Sequence, residues 1–250
     1  MISIKSDREL ELLREAGRIV ALCHSELKKV IKPGITTIEL NDLATKIIED
    51  NDAYPSFLEV DNFPCAICSS PNEQVVHGIA NDQPLKEGDI ISIDIGAKYK
   101  GYHGDSAWTY PVGNISDDDK YLLEHTEKSL YEGLNVIREG IHLSDVSNAI
   151  ETYANKYNLG IVREFAGHGV GKSIHEEPQI LNYGPKGRGP ILKAGMVLAI
   201  EPMLNFGSDD IVFHNDGWTI STSDKKNSAH FEHTIIVTTD GYEITTQLGG

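Results

Sequence analysis

Four acids stand where a lone carboxylate would be costly. Asp94 sits within Ile90-Ile91-Ser92-Ile93-Asp94-Ile95, and Glu201 ends the run Val197-Leu198-Ala199-Ile200. A segment apolar on both faces reads as a buried strand. A buried carboxylate then needs a charge partner, hydrogen bonds or a metal. Strand alternation puts Ser92 on the face of Asp94 and Ala199 on the face of Glu201, small neighbours that leave room for an ion. Asp105 follows Asp94 by eleven residues, a fitting span for one hairpin strand to return beside the other, and Glu232 opens the apolar stretch that follows Glu201. His77 and His168 lie in turns next to glycine, and His175 precedes Glu176-Glu177-Pro178. Four carboxylates and at least one imidazole can hold two divalent ions about 3.5–4 Å apart. Such donors suit Mn, Co, Fe or Zn in a site unlike a thiolate one. His103 and His230 each lie two residues from an acid on one strand face, so they are expected to back Asp105 and Glu232 respectively. His24, His125, His142 and His214 read as structural or exposed, and His233 alternates away from Glu232.

The elements that must position these groups are legible. Ser6 to Glu9 is a capping box opening a helix to about Val30, which Pro33-Gly34 ends. Thr36 to Glu39 opens a second helix to about Asp52. Strand-like segments follow at Ala66–Ser69, Ile90–Ala97 and Ser106–Tyr110. Then the order restarts: Ser116 caps a helix to about Arg138, Gly140 stops it, and Ser144 caps a helix to about Tyr157. Strand-like segments return at Ile161–Phe165, Met196–Glu201 and Glu232–Thr238, with Tyr183–Pro190 a solvated Gly/Pro-rich connection.

The restart is also written in residues. Val30-Ile31-Lys32-Pro33-Gly34-Ile35 answers Val136-Ile137-Arg138-Glu139-Gly140-Ile141, and Leu85-Lys86-Glu87-Gly88 answers Leu192-Lys193-Ala194-Gly195. Asp94 and Glu201 each fall six residues past the final glycine of the second pair. The expectation is one domain over 1–250, built from related halves at about 1–112 and 113–250, too few and too long to be a solenoid.

Composition narrows the partners. With 22 Lys and Arg against 38 Asp and Glu, the 250-residue chain carries a formal charge of −16. That argues against a general binder of nucleic acid or anionic membrane. An apolar content of 40% supports a packed core and excludes disorder. Cys23, Cys65 and Cys68 are too few for a disulfide framework. The lone C-x-x-C lacks the second pair a four-thiolate zinc site needs, so the cysteines read as free thiols. Charge appears within the first residues and no apolar run approaches about 18 residues, which gives the expectation of a cytoplasmic protein without a signal peptide or membrane span.

His77-Gly78-Ile79, Asp94 with Gly104-Asp105, Gly167-His168-Gly169-Val170-Gly171, His175-Glu176-Glu177-Pro178, Glu201-Pro202-Met203 and Phe231-Glu232-His233-Thr234 together resemble methionine aminopeptidase of type I over nearly the whole chain. The resemblance implies the α+β pita-bread fold: a duplicated, largely antiparallel curved sheet covered by two pairs of helices with pseudo-two-fold symmetry. It implies two metals on Asp94, Asp105, His168, Glu201 and Glu232, with Asp105 and Glu232 bridging. Glu201 would be the proton acceptor, His77 and His175 would contact substrate and assist catalysis, and Phe63, Cys68 and Trp218 would line a pocket for the methionine side chain. Repeat logic alone would have made His77 a metal ligand like His168. Nascent polypeptide N-termini with a small second residue would be the substrates, with transient contact at the ribosome, no membrane or specific nucleic acid, and a monomeric state. Two departures stand out: His230 where the family commonly carries Gln, and Ile174 where an aromatic is often found, which would widen the pocket.

Competing readings are weaker. Ala166 to Ser173 fits a relaxed phosphate loop, but that motif needs a helix starting at Lys172, and Pro178 follows six residues later. His175-Glu176 lacks the second histidine of a zinc-protease helix. Only 26 positions separate His175 from Glu201, which leaves no room for the insertion of type II relatives. The chain starts directly at the catalytic region, the expectation for an aminopeptidase of this type rather than for prolidase or aminopeptidase P. A non-catalytic binding protein on the same fold would be expected to have lost metal ligands.

Overall fold

The computed structural model describes residues 2–249. In chain order it runs α1 (Asp7–Val30), α2 (Thr37–Asp50), β1 (Ala53–Pro55), a 3-10 turn (Ser56–Glu59), β2 (Ile67–Pro71), β3 (Gln74–Val76), β4 (Ile90–Tyr99) and β5 (Tyr102–Pro111). It continues with α3 (Asp117–Asn135), α4 (Leu143–Lys156), β6 (Gly160–Ile161), β7 (Gly167–Gly169), β8 (Glu176–Ile180), β9 (Val197–Ile200) and β10 (Met203–Asn205). The last strands are β11 (Ile211–Phe213), β12 (Ile220–Thr222), β13 (Ser228–His230), β14 (His233–Val237) and β15 (Tyr242–Ile244). Every strand pairing is antiparallel.

Both capping boxes form. Glu9 accepts the Ser6 amide at 2.9 Å and Glu39 accepts the Thr36 amide at 2.8 Å, each satisfying an otherwise orphaned donor at a helix start. The helix pairs cover different strands. Ile19, Val20 and Leu27 of α1, with Leu40 and Ile48 of α2, pack on Ile91, Ile93 and Ile95 of β4. Leu122, Leu130 and Leu134 of α3, with Val146 and Ile150 of α4, pack with Leu198 and Ile200 of β9 and Ile235 of β14. Alternation then decides the site: with the odd residues of β4 buried under helices, Ser92, Asp94 and Gly96 share the other face.

A seam joins the two large sheets. Thr234 Oγ1 donates to the Asp105 carbonyl at 2.7 Å and accepts from the Asp105 amide at 3.2 Å. Ser106 Oγ donates to the Glu232 carbonyl, the Glu232 amide donates to the Ala107 carbonyl at 2.8 Å, and Thr109 Oγ1 bonds both backbone groups of His230. The acids of the two halves are thereby held together by backbone.

Several boundaries differ from the sequence expectation. α3 stops at Asn135 rather than Arg138, because Val136 and the buried Ile137 turn inward, with the Ile137 amide returning to the Leu134 carbonyl. α4 is capped from His142, whose amide Asp145 accepts, while Ser144 lies inside the first turn and accepts the Arg188 amide. The strand expected over Ile161–Phe165 shrinks to Gly160–Ile161. The 183–190 connection is irregular and its middle exposed, but Glu151 and Asp145 accept the amides of Gly184 and Gly187.

α1 and β5 cross at two glycines. A Cβ on Gly104 would come within 2.6 Å of the Gly17 nitrogen, and one on Gly17 would meet the Thr245 carbonyl oxygen at 2.5 Å. Backbone cannot yield as a flexible side chain can, so Gly104→Ala should destabilise the fold by about 1–3 kcal/mol. Urea unfolding measures this, and an unchanged midpoint would show that the crossing is not tight.

Candidate active site

Asp94 and Asp105 come from the β4–β5 hairpin. Register pairs Asp94 with Ala107 and Gly96 with Asp105, so the two acids are diagonal neighbours on one face. His168 lies on β7 opposite Ala199, the small residue expected beside Glu201. It sits in a strand, not in the turn expected from its glycines, because β9 pairs with both β7 and β14. Glu201 follows the end of β9, and Glu232 precedes β14, whose His233 pairs with Ile200.

These groups converge. His168, Glu201 and Glu232 can each offer a donor atom within 4.8 Å of the others; so can Asp94, Asp105 and Glu232, and so can Asp105, His168 and His175. Buried oxygens Asp94 Oδ1, Asp105 Oδ1 and Glu232 Oε1 have no hydrogen-bond partner. Orphaned buried carboxylate oxygens in one cluster fit cations, since native interiors otherwise satisfy such atoms. His168 is prepared as a ligand: Nδ1 donates to the Gly169 carbonyl at 2.9 Å, which leaves the Nε2 lone pair facing Glu201 Oε1 at 3.3 Å and Asp105 Oδ2 at 3.6 Å. Burial, with His175 nearby, lowers its pKa to about 3 and keeps it neutral.

The acids are shifted the other way. Burial raises Asp94 to about 7, opposed by His230 and reinforced by Glu201. Burial and the neighbouring carboxylates hold Asp105 and Glu232 well above the usual carboxylate range, and burial does the same to Glu201. A protein that gathers such groups without a counter-charge carries them protonated; a divalent ion reverses that.

All ten residues singled out from sequence line one cavity of about 320 Å³: Asp94, Asp105, His168, Glu201, Glu232, His77, His175, Phe63, Cys68 and Trp218. Phe63 meets Trp218 edge-on at 5.0 Å, and Phe57 meets Phe63 edge-on at 6.4 Å. His77 follows β3 with a left-handed backbone (φ 57°) and packs edge-on against Phe165 at 5.3 Å. It belongs to none of the donor groups, unlike its counterpart His168. The His175 ring stands edge-on to His168 at 4.5 Å. Burial lowers the pKa of both His77 and His175, the former to about 4.

Two expectations are corrected. His103 does not back Asp105; its Nδ1 is engaged with Ser56 Oγ at 2.8 Å. His230 does not back Glu232: its Nε2 lies 3.6 Å from Glu201 Oε2. Residues 231 and 232 form a break between β13 and β14, so alternation does not carry across it. Sequence reading also missed Phe57, Val60, Phe165 and Met203 in the cavity wall. Phe57 and Val60 come from a 3-10 turn and its end, where no periodic signal exists. The phosphate-loop match is resolved too: β7 lies within the segment and β8 follows it, with no helix at Lys172.

Residues 11–239 match the model of metallopeptidase family M24. Methionine aminopeptidase 1 of Bacillus subtilis (strain 168) is 58% identical over 248 residues, covering 99% of this chain and 100% of its own. The crystal structure of methionine aminopeptidase from Thermotoga maritima superposes with a TM-score of 0.98 at 42% identity, covering 99% of this chain and 100% of that one. The Rickettsia prowazekii methionine aminopeptidase structure gives 0.97 at 43% identity, covering 98% and 100%. With the pita-bread architecture shared over its full length, this chain belongs to the methionine aminopeptidases of metallopeptidase family M24.

Proposed function

We propose that this chain releases the first methionine from peptides and nascent proteins by hydrolysis at a pair of divalent ions, favouring a small second residue. The observation that carries the reading is the set of orphaned carboxylate oxygens beside an aromatic and sulfur-lined pocket. Asp94, Asp105, His168, Glu201 and Glu232 would hold the ions, a set supported by the overlap of the donor groups through Asp105, His168 and Glu232. Bound there, Co, Mn, Fe or Zn supplies Lewis acidity toward water and the peptide carbonyl.

The chain's own residues do the rest. Glu201 takes the proton of the attacking water on a carboxylate oxygen. His175 donates a hydrogen bond where negative charge develops on the carbonyl oxygen, and His77 lies against the substrate from the Phe165 side. The acidic cluster favours a free α-amine, which limits attack to the first peptide bond. Phe63, Cys68 and Trp218 receive the thioether, whose polarizable sulfur makes favourable contacts with aromatic edges. Residues 1–250 act as one catalytic domain, because its donors come from both halves (about 1–112 and 113–250), and neither half holds the set. The reading extends to a monomer acting in the cytoplasm on chains at the ribosome. Among the described residues no helix is long and apolar enough to cross a membrane.

Asp105→Asn should reduce release of Met from a Met-Gly peptide by more than about 100-fold, the upper range for residues that merely support a ligand. Full activity in that variant would sink the two-ion assignment. Chelated protein should be inactive on Met-Gly and regain activity with an added divalent ion; no rescue by any of them would refute the metal dependence.

pH offers an independent check. Asp94 moves from an ordinary value of 3.8 to about 7 in the fold, and its neighbours move the same way. Between those values the folded chain holds protons that the unfolded chain gives up. The contribution of Asp94 to stability is therefore complete below about pH 4 and is lost as pH rises through about 7, and its neighbours act in the same direction. Divalent ions bind the deprotonated form. The gap in melting temperature between metal-loaded and chelated protein should widen from pH 5 to pH 8, whereas a constant gap would contradict the shared burial of these acids.

A further inference from the structure

His175 is held by its backbone. Its ring packs edge-on against His168, while the chain just before it is fixed by its neighbour Glu176. Glu176 Oε1 accepts the amides of Lys172 and Ser173 at 2.8 and 3.3 Å. In this segment, which fits a relaxed phosphate loop by sequence, the paired amides are thus filled by a carboxylate of the same chain. Gly171 completes the turn: its amide donates to the Ser173 carbonyl and its carbonyl accepts the His103 amide, both at 3.0 Å. A Cβ there would collide with the Glu176 carboxylate and Lys5 Nζ.

The other oxygen of Glu176 is bound by the amino-terminal segment. Lys5 Nζ lies 2.6 Å from Glu176 Oε2, Ser3 Oγ donates to the same oxygen at 3.2 Å, and the Lys5 amide donates to the Gly195 carbonyl at 2.9 Å. The Lys5 side chain is only 6% exposed. A lysine almost never occupies such a place unless paired, and breaking a buried pair leaves an uncompensated charge. Surface pairs elsewhere in this chain, such as Lys120 with Asp117, carry no comparable constraint. Elements packed against the pair add Lys172, whose ammonium lies over the Tyr102 ring, and Tyr102, whose hydroxyl donates to Glu9 at 2.9 Å.

We propose that the amino-terminal strap, through Lys5, is a positioning device for His175. Lys5 fixes Glu176, Glu176 fixes the 171–173 turn, and the turn with the start of β8 aims the imidazole into the cavity. The inference rests on the reading of His175 as a group that contacts substrate. Lys5 touches no substrate and donates nothing to the cavity; it acts through Glu176.

The test uses full-length, metal-loaded protein and a Met-Gly peptide. Lys5→Met keeps the unbranched stem and removes the charge. It should lower kcat by about 10- to 100-fold, the scale of an ångström-sized misplacement. KM should stay within about threefold and the visible spectrum of the cobalt-loaded protein unchanged, because the metal ligands are untouched. In the zinc-loaded protein the His175 imidazole resonances should shift, and Lys5→Arg should restore most of the lost kcat. Glu176→Gln, which keeps an acceptor for the two amides but loses the ion pair, should also lower kcat. The double variant should be no worse than the poorer single one, as expected for residues acting in one chain of contacts. A lower melting temperature with unchanged kcat, unmoved His175 resonances, or additive losses would each overturn the proposal. If Lys5→Met fails to fold, a wild-type kcat in Glu176→Gln overturns it as well. His175→Ala separates the two levels: activity there refutes the role of His175, whereas an inactive His175→Ala beside an active Lys5→Met refutes only the strap.

Discussion

Four carboxylates gathered in one buried place set the terms for the fold around them. Asp94, Asp105, Glu201 and Glu232 share one cavity, and side chains of this kind lose several kcal/mol of hydration on burial even after relaxation. When ionised they also repel one another, so the backbone must hold them in place. The hydroxyl seam does this: Thr234, Ser106 and Thr109 each bond main-chain groups of the other half, across Asp105, Glu232 and His230. The helix pairs supply the energy, with isoleucines of β4 under α1 and α2, and those of β9 and β14 under α3 and α4. Their burial lies on the face opposite the acids, so the stabilising and the functional faces are separated by strand alternation alone. The glycine crossing of α1 and β5, beside Asp105, lets the helix approach closely enough to lock that hairpin.

Much of this was legible because it rests on local rules. The capping boxes at Ser6 and Thr36 name their helices, and the isoleucine run of β4 names both a buried strand and the odd residue in it. The eleven-residue spacing from Asp94 to Asp105 is a hairpin in one dimension, and the structure keeps it as a diagonal pair. What failed was reasoning that carried a local rule across a break. Alternation through Phe231 and Glu232 would set His230 beside Glu232, but the strand is interrupted there and His230 faces Glu201 instead. The glycines beside His168 read as a turn, but they are needed because β9 and β8 press on both sides: a Cβ at Gly167 would strike the Ala199 carbonyl and one at Gly169 the Glu177 carbonyl. Ser144 lost the capping role to His142 because Ser144 is engaged by the 183–190 connection, a long-range contact with no signature in the sequence. Phe57 and Lys5 were invisible for the same reason: their meaning lies in residues about 40 and 170 positions away.

The comparison of His77 with His168 shows why a repeated sequence need not repeat a function. Both histidines precede glycine and both reach the same cavity. His168 lies in a strand, so alternation aims its ring at the face where Asp105 and Glu201 stand, and Nδ1 is fixed by the Gly169 carbonyl. His77 leaves β3 with a left-handed backbone, which breaks the alternation and swings the ring toward Phe165 and Trp218. The next residue explains why the chain cannot relax back: a Cβ on Gly78 would overlap the Ser69 carbonyl, and the Gly78 amide is bound by Ser70 Oγ. One backbone angle therefore converts a candidate ligand into part of the pocket wall. The cavity ends up with ligands along one side and an aromatic wall along the other, a polarity that a strictly symmetric pair of halves could not provide.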